Sequence, residues 1–149
     1  MDWHADVEPR FRPLVAPAGE RAWEKHLRDD ILGHDDWCVL VAERNGEVMG
    51  QIIGRVRGNV PVFEPARYGC VTDIVVAAAE RREGVGLALF SALKDWFREL
   101  GVNHLQLQVA HNNPAAQGFW RGQGCTDYIH TLWYDLGQEK PGDPSDPRA

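Results

Sequence analysis

No run of roughly 18 apolar residues occurs anywhere in the 149-residue chain, so no segment is long enough to cross a bilayer as a helix. The opening Met1-Asp2-Trp3-His4-Ala5-Asp6 lacks the basic n-region and apolar core of an export signal. A soluble, cytoplasmic protein is therefore expected. Basic residues are in deficit, 16 Lys and Arg against 22 Asp and Glu for a net charge of −6, which excludes general nucleic-acid binding through a phosphate-neutralising face. Cysteine is scarce: Cys38, Cys70 and Cys125 are odd in number and widely spaced, so neither a disulfide framework nor a C-x-x-C metal site is expected. Each lies in or beside an apolar run and reads as a buried thiol in a reducing compartment. The six histidines share no H-x-x-x-H spacing, and no metal is expected. No Gly-Lys pair exists, which excludes a P-loop. The G-x-G at Gly84 and Gly86 has Leu89 where a dinucleotide fingerprint needs glycine or alanine.

What is present is one core's worth of chain. At this length, with 44% hydrophobic residues, a single domain over residues 1–136 is expected, followed by a proline-rich, disordered tail over 137–149. A weak strand is entertained from Arg10 to Val15. Residues 18–32 read as a helix with Ala22, Trp23, His26, Leu27, Ile31 and Leu32 on one face, Trp23 in the core and Gly33 as the stop. Trp37 to Glu43 is an apolar strand, turned by Asn45-Gly46 into a second strand over Val48 to Val56. Gly58 to Gly69, with two prolines, is a loop.

The best-marked stretch follows. Cys70-Val71-Thr72-Asp73-Ile74-Val75-Val76 is a strand apolar enough to be buried on both faces. It feeds Arg81-Arg82-Glu83-Gly84-Val85-Gly86 and a helix whose stripe is Val85, Leu89, Leu93, Trp96 and Leu100, closed by Gly101. The alternating His104 to Ala110 then reads as a strand, which makes a parallel, right-handed βαβ unit. Asn112-Asn113-Pro114 opens a short helix over Ala115 to Arg121, and Thr126 to Leu136 reads as one or two closing strands. A strand, a glycine turn and a helix N-terminus in succession present unpaired N–H groups and a positive dipole end, an arrangement suited to an anion.

Arg81-x-x-Gly84-x-Gly86 behind a strand resembles the acyl-CoA-binding signature [Gln/Arg]-x-x-Gly-x-[Gly/Ala] of the GCN5-related N-acetyltransferase (GNAT) family. Asn113-x-x-Ala116-x-x-Phe119-Trp120-x-x-x-Gly124-Cys125 resembles the family's second motif, and Asp73-Ile74-Val75-Val76 its preceding strand. The departures are Arg82 for glycine, Trp120 for the usual tyrosine and Cys125 for phenylalanine. The resemblance covers about residues 37–136.

It implies an α/β GNAT-like fold with a mixed sheet: antiparallel N-terminal strands, then a parallel βαβ unit with splayed central strands. It also implies an acetyl-CoA-dependent N-acetyltransferase whose primary amine acceptor attacks the thioester directly in a ternary complex. Pyrophosphate would meet the segment Arg81, Arg82, Glu83, Gly84, Val85, Gly86 and Leu87, and pantetheine would pair with Ile74, Val75 and Val76. The N–H near Val75 would polarise the thioester carbonyl, and Asp73 would take the ammonium proton. Asn113, Ala116, Phe119 and Trp120 would lie along the pantetheine arm. Acetyl-CoA would be a co-substrate, without a metal; the partners implied are acyl-CoA and an amine, neither nucleic acid nor membrane, and a homodimer is compatible. Six acidic residues (Glu20, Glu24, Asp29, Asp30, Asp35, Asp36) against three basic ones in the first helical region favour a small cationic amine. The alternative is a catalytically idle acyl-CoA-binding sensor or partner module.

Overall fold

The computed structural model describes residues 17–81 and 83–138; the strand entertained from Arg10 to Val15 lies outside them. Helix α1 (Ala18–His26) continues into a π-helical turn, Leu27–Ile31. Strands β1 (Trp37–Arg44) and β2 (Glu47–Gly58) form the hairpin expected from Asn45-Gly46. Both turn residues take positive φ, 53° and 80°, as the tight hairpin turn requires. Strand β3 (Arg67–Val76), helix α2 (Val85–Glu99) and strand β4 (Leu105–Leu107) follow. The sheet order is β1-β2-β3-β4, antiparallel except for the parallel β3–β4 pair. The mixed sheet and the crossover helix are thus those expected.

Helix α2 covers one face of this sheet, and three glycines let it sit close. A Cβ on Gly54 would lie 2.7 Å from Leu93 Cδ1, one on Gly69 would lie 2.6 Å from Phe97 Cε1, and one on Gly50 3.2 Å from Leu89 Cδ1. Gly50, Ile52 and Gly54 therefore look toward α2. The buried stripe of α2 is Val85, Leu89, Phe90, Leu93 and Phe97, which corrects the expected one in its last turns. Trp96 is half buried and Leu100 exposed, because the hole left by Gly54 and Gly69 admits the Phe97 ring and the sheet's twist carries the contact line across the helix.

Other expectations are corrected too. Helix α1 has no buried residue, and Trp23 is 40% exposed, so it is not a core residue. The π turn buries Ile31 instead. Strand β4 is three residues long where seven are expected, since the ladder stops where β3 departs from it. Thr126 to Leu136 forms no strand: Tyr128, Ile129, Leu132, Tyr134 and Leu136 are exposed, and alternation makes a strand only where a ladder partner exists. The three cysteines are free and half buried, not buried.

The chain divides into two compact units between Pro114 and Ala115. The second holds most of helix α3 (Pro114–Gly122), where proline occupies the first helical position, and Gly124 at φ 94° behind it. From residue 139 the tail lies outside the described residues. Among the described residues no helix is long and apolar enough to cross a membrane.

Candidate active site

Strand β3 is irregular at one point. Ile53 of β2 pairs with Asp73 and Gly54 with Val71, so Thr72 is an extra residue in the ladder. Its hydroxyl donates to the Ile53 carbonyl at 3.3 Å. Such a bulge bends the strand that carries it, and here the bend coincides with the end of the β3–β4 ladder. Gly69, Cys70 and Val71 pair with Leu105, Gln106 and Leu107, and no later residue of β3 pairs with β4. From Asp73 to Val76 the strand pairs with β2 and no longer with β4 among the described residues. This is why the segment expected to be buried on both faces is only half buried.

The open part of β3 runs through Ala77, whose N–H donates to the Met49 carbonyl at 2.8 Å, and a 3₁₀ turn (Ala78–Glu80) into the glycine segment. Gly84 caps α2 in the left-handed conformation, φ 81°, which glycine adopts without the strain a Cβ brings. The first α2 bond runs from Ala88 N–H to Gly84 C=O, so the N–H groups of Val85, Gly86 and Leu87 have no partner within the helix. Glu80 is held by Arg44 at 3.2 Å, which offsets one carboxylate beside this turn. Arg81 is exposed with no carboxylate partner among the described residues; Arg82 is not among them. Asp73, Ile74, Val75 and Val76 thus lie at the same end of the sheet as Arg81, Glu83, Gly84, Val85, Gly86 and Leu87.

Asp73 is half buried on the face away from α2 and accepts a hydrogen bond from the Gln51 side chain, Nε2 to Oδ2 3.3 Å. Gln51 pairs with Val75. Beside them a cavity of about 270 Å³ is lined by Trp23, Val48, Met49, Gly50, Gln51, Val75 and Ala77. A second, of about 290 Å³, opens where β3 and β4 part and is lined by Arg57, Cys70, Val71, Thr72, Gln106, Leu107 and Gln108. Burial pushes the Cys70 and Cys38 thiols up from their ordinary value, against the opposing pull of Arg57 and Arg55 at Cys70.

Asn113 is buried at 9% exposure, with its N–H on the Ala110 carbonyl at 3.0 Å. In the second unit Ala116 and Phe119 are half buried, while Trp120 is 5% exposed with its ring edge-on to Phe119 at 4.9 Å between centroids. The acidic stretch is largely engaged: Glu24 with Arg28, Asp29 with Lys25, Asp30 with His26, and Asp36 with Arg55. Sequence reasoning missed Gln51, Arg57, Gln106 and Gln108. The alternation of Gln106 and Gln108 with leucine and valine was a signal that one side of β4 faces something polar, but the bulge that opens the cleft has no signature.

The family model for the acetyltransferase (GNAT) family matches residues 2–125. The chain belongs to the GNAT family. Among curated relatives, the L-2,4-diaminobutyric acid acetyltransferase of Nocardia farcinica (strain IFM 10152) is 33% identical over 88 residues, covering 54% of this chain and 42% of its own. The probable N-acetyltransferase HLS1 of Arabidopsis thaliana is 24% identical over 143 residues, covering 79% and 34%. The chain spans about a third of the length of the Arabidopsis relatives and under half of the Nocardia one. Among solved structures, the aminoglycoside N-acetyltransferase AAC(6')-Iy in complex with CoA superposes with a TM-score of 0.66 at 21% identity, covering 78% of this GNAT chain and 89% of its own. That likeness shows the fold.

Proposed function

We propose that this GNAT protein transfers an acetyl group from acetyl-CoA to a primary amine by direct attack in a ternary complex. The observation that carries the reading is the departure of β3 from β4 at the Thr72 bulge. It leaves Ile74 to Val76 with one ladder edge open, and the same chain runs directly into a helix N-terminus with free N–H groups. An amide-bearing arm that ends in a pyrophosphate fits that sequence of features: the arm pairs with the open edge, and the phosphates meet the N–H groups of Val85, Gly86 and Leu87 beside Arg81. The Nocardia relative is named for an amine substrate and the AAC(6')-Iy structure holds CoA, which supports both halves of the reading.

In this mechanism the acceptor arrives as an ammonium and Asp73, directly or through a water, takes its proton. The amine lone pair then attacks the thioester carbon. Negative charge gathers on the carbonyl oxygen, where a β3 N–H near Val75 on the edge away from β2, that of Ile74 or Val76, donates to it; the nitrogen gives its second proton to water as the C–S bond breaks to release CoA as thiolate. Gln51 holds the Asp73 carboxylate in position. Trp120, with an indole N–H that does not titrate near neutrality, supplies no proton; a thiol with a pKa of about 8.5 leaves without one.

The test follows CoA thiol release with acetyl-CoA and longer acyl-CoAs over a panel of primary amines. Saturable release that requires an amine is the expected result. Tight acetyl-CoA binding without turnover on any amine would instead identify the protein as an idle acyl-CoA-binding module.

A further inference from the structure

The cleft where β3 and β4 part is separate from the cavity beside Val75, and its chemistry differs. Cross-strand pairing sets Trp37, Arg55, Cys70 and Gln106 in one row. Leu105 lies against α2, since a Cβ on Gly69 would meet both Leu105 and Phe97, so Gln106 looks to the opposite face, the one that carries Asp73. The cleft wall on that face is Arg57, Cys70, Thr72, Gln106 and Gln108.

Thr72 donates to the Ile53 carbonyl, whereas Arg57, Gln106 and Gln108 have no oxygen acceptor for their side chains among the described residues. Arg28, Arg44, Arg55, Arg98 and Arg121 each meet a carboxylate, and Arg67 donates to the Leu100 carbonyl at the end of α2. Arg57 has no carboxylate partner among the described residues, and its guanidinium reaches only the Cys70 thiol. Neither Gln106 nor Gln108 has a side-chain hydrogen bond among the described residues. Arg57, Gln106 and Gln108 are exposed, and with Arg55 offset by Asp36 the one cation here not offset by a carboxylate among the described residues, beside two neutral amides, matches a single negative charge with planar acceptor geometry. A dianion would be left short of positive charge.

Resting on the acetyltransferase reading, we propose that the acceptor is a small amino acid acetylated on its side-chain amine, with its carboxylate held by Arg57, Gln106 and Gln108. Size agrees. About 290 Å³ lies at the small end of ligand sites, roughly 300 to 1,000 Å³, and suits a molecule of a dozen heavy atoms rather than an oligosaccharide or a protein segment. Spacing agrees as well. The Cys70 row, where the Arg57 guanidinium reaches, lies two β2 residues from the Ile53–Asp73 pair, about 7 Å at roughly 3.4 Å per residue. An α-amine is too close to its own carboxylate to bridge that gap, whereas an amine at the end of a side chain spans it. Such a diamino acid carries two ammonium groups and one carboxylate, so it remains cationic overall.

The experiment measures acetyl transfer from acetyl-CoA to 2,4-diaminobutyrate, ornithine and lysine. Each is compared with its decarboxylated diamine (1,3-diaminopropane, putrescine, cadaverine) and its methyl ester. For at least one chain length, kcat/KM for the free carboxylate should exceed that of both partners by tenfold or more. Arg57→Ala should lower it at least tenfold, chiefly through KM, and bring the ratio to the diamine near one, with part of the loss restored in Arg57→Lys. Unchanged acetyl-CoA affinity by calorimetry reports that the variants are folded. Diamines that serve as well as the amino acids, or an Arg57→Ala variant that slows both alike, would overturn the proposal. If no compound is acetylated, the transferase reading falls, and titration of the same three amino acids into CoA-saturated protein decides the rest: binding lost in Arg57→Ala upholds a carboxylate site, and no Arg57-dependent binding overturns it.

Discussion

Gln51 on β2 donates its side-chain amide to the Asp73 carboxylate on β3 across 3.3 Å, one residue step from the Thr72 bulge. If Asp73 takes the ammonium proton, Asp73→Asn should lower kcat by about 10²- to 10⁴-fold while acetyl-CoA affinity holds. Gln51→Ala should cost less, and in the Asp73→Asn background it should cost almost nothing, because its effect runs through the carboxylate. Stopped-flow or steady-state kinetics on the four proteins of this cycle provide the check. Additive losses would assign Gln51 a separate role.

At the helix N-terminus, Gly86→Glu should abolish acetyl-CoA binding through bulk and like charge beside the pyrophosphate. The circular dichroism spectrum should stay native. Isothermal calorimetry that found wild-type affinity in this folded variant would remove the N-terminus of α2 from the cofactor site.

Trp120 combines burial with a position where the family usually has tyrosine. Trp120→Ala is expected to destabilise the fold by about 3 to 5 kcal/mol, because the side chain is 5% exposed and edge-on to Phe119. Trp120→Tyr keeps most of that contact and should hold or raise kcat. Urea unfolding separates the two contributions from turnover; a Trp120→Tyr protein as inactive as Trp120→Ala, with intact acetyl-CoA affinity, would mean that the indole itself serves catalysis.

Gly54→Ala tests the close seat of α2. A Cβ there would stand 2.7 Å and 3.0 Å from the Leu93 methyls and 3.0 Å from Phe97 Cζ, an overpacking expected to cost about 1 to 3 kcal/mol. Gly58→Ala, where a Cβ meets nothing within 4 Å, is the control, and the urea midpoints of the pair should separate.

Much of the fold could be read from the chain because its signals are local. Asn45-Gly46 names its turn, Gly101 stops α2 and the glycine pair starts it. The route from Asp73 to Gly86 was legible for the same reason, since it is contiguous. What escaped depends on neighbours distant in sequence. The extra residue at Thr72 is visible only against its β2 partner, and Phe97 displaces Trp96 from the stripe because two glycines on other strands make room for it. Trp23 looks like core by type and periodicity, yet it walls a cavity. Thr126 to Leu136 alternates like a strand and has no ladder. Arg57 and the two glutamines become a cluster only once β2, β3 and β4 lie side by side.

The alternation of β2 has a consequence for how this protein can evolve. Gly50, Ile52 and Gly54 look toward α2, while Gln51, Ile53 and Arg55 look the other way. Neighbouring codons therefore answer to different selective pressures, one set to the fit of a helix and the other, apart from the fully buried Ile53 and the Asp36-paired Arg55, to whatever molecule is handled on the far side. A library randomised at Gln51, Arg57, Gln106 and Gln108 should retain a high proportion of folded members while scattering widely in acceptor preference. The same diversity placed at Gly50, Ile52 and Gly54 should yield mostly insoluble protein.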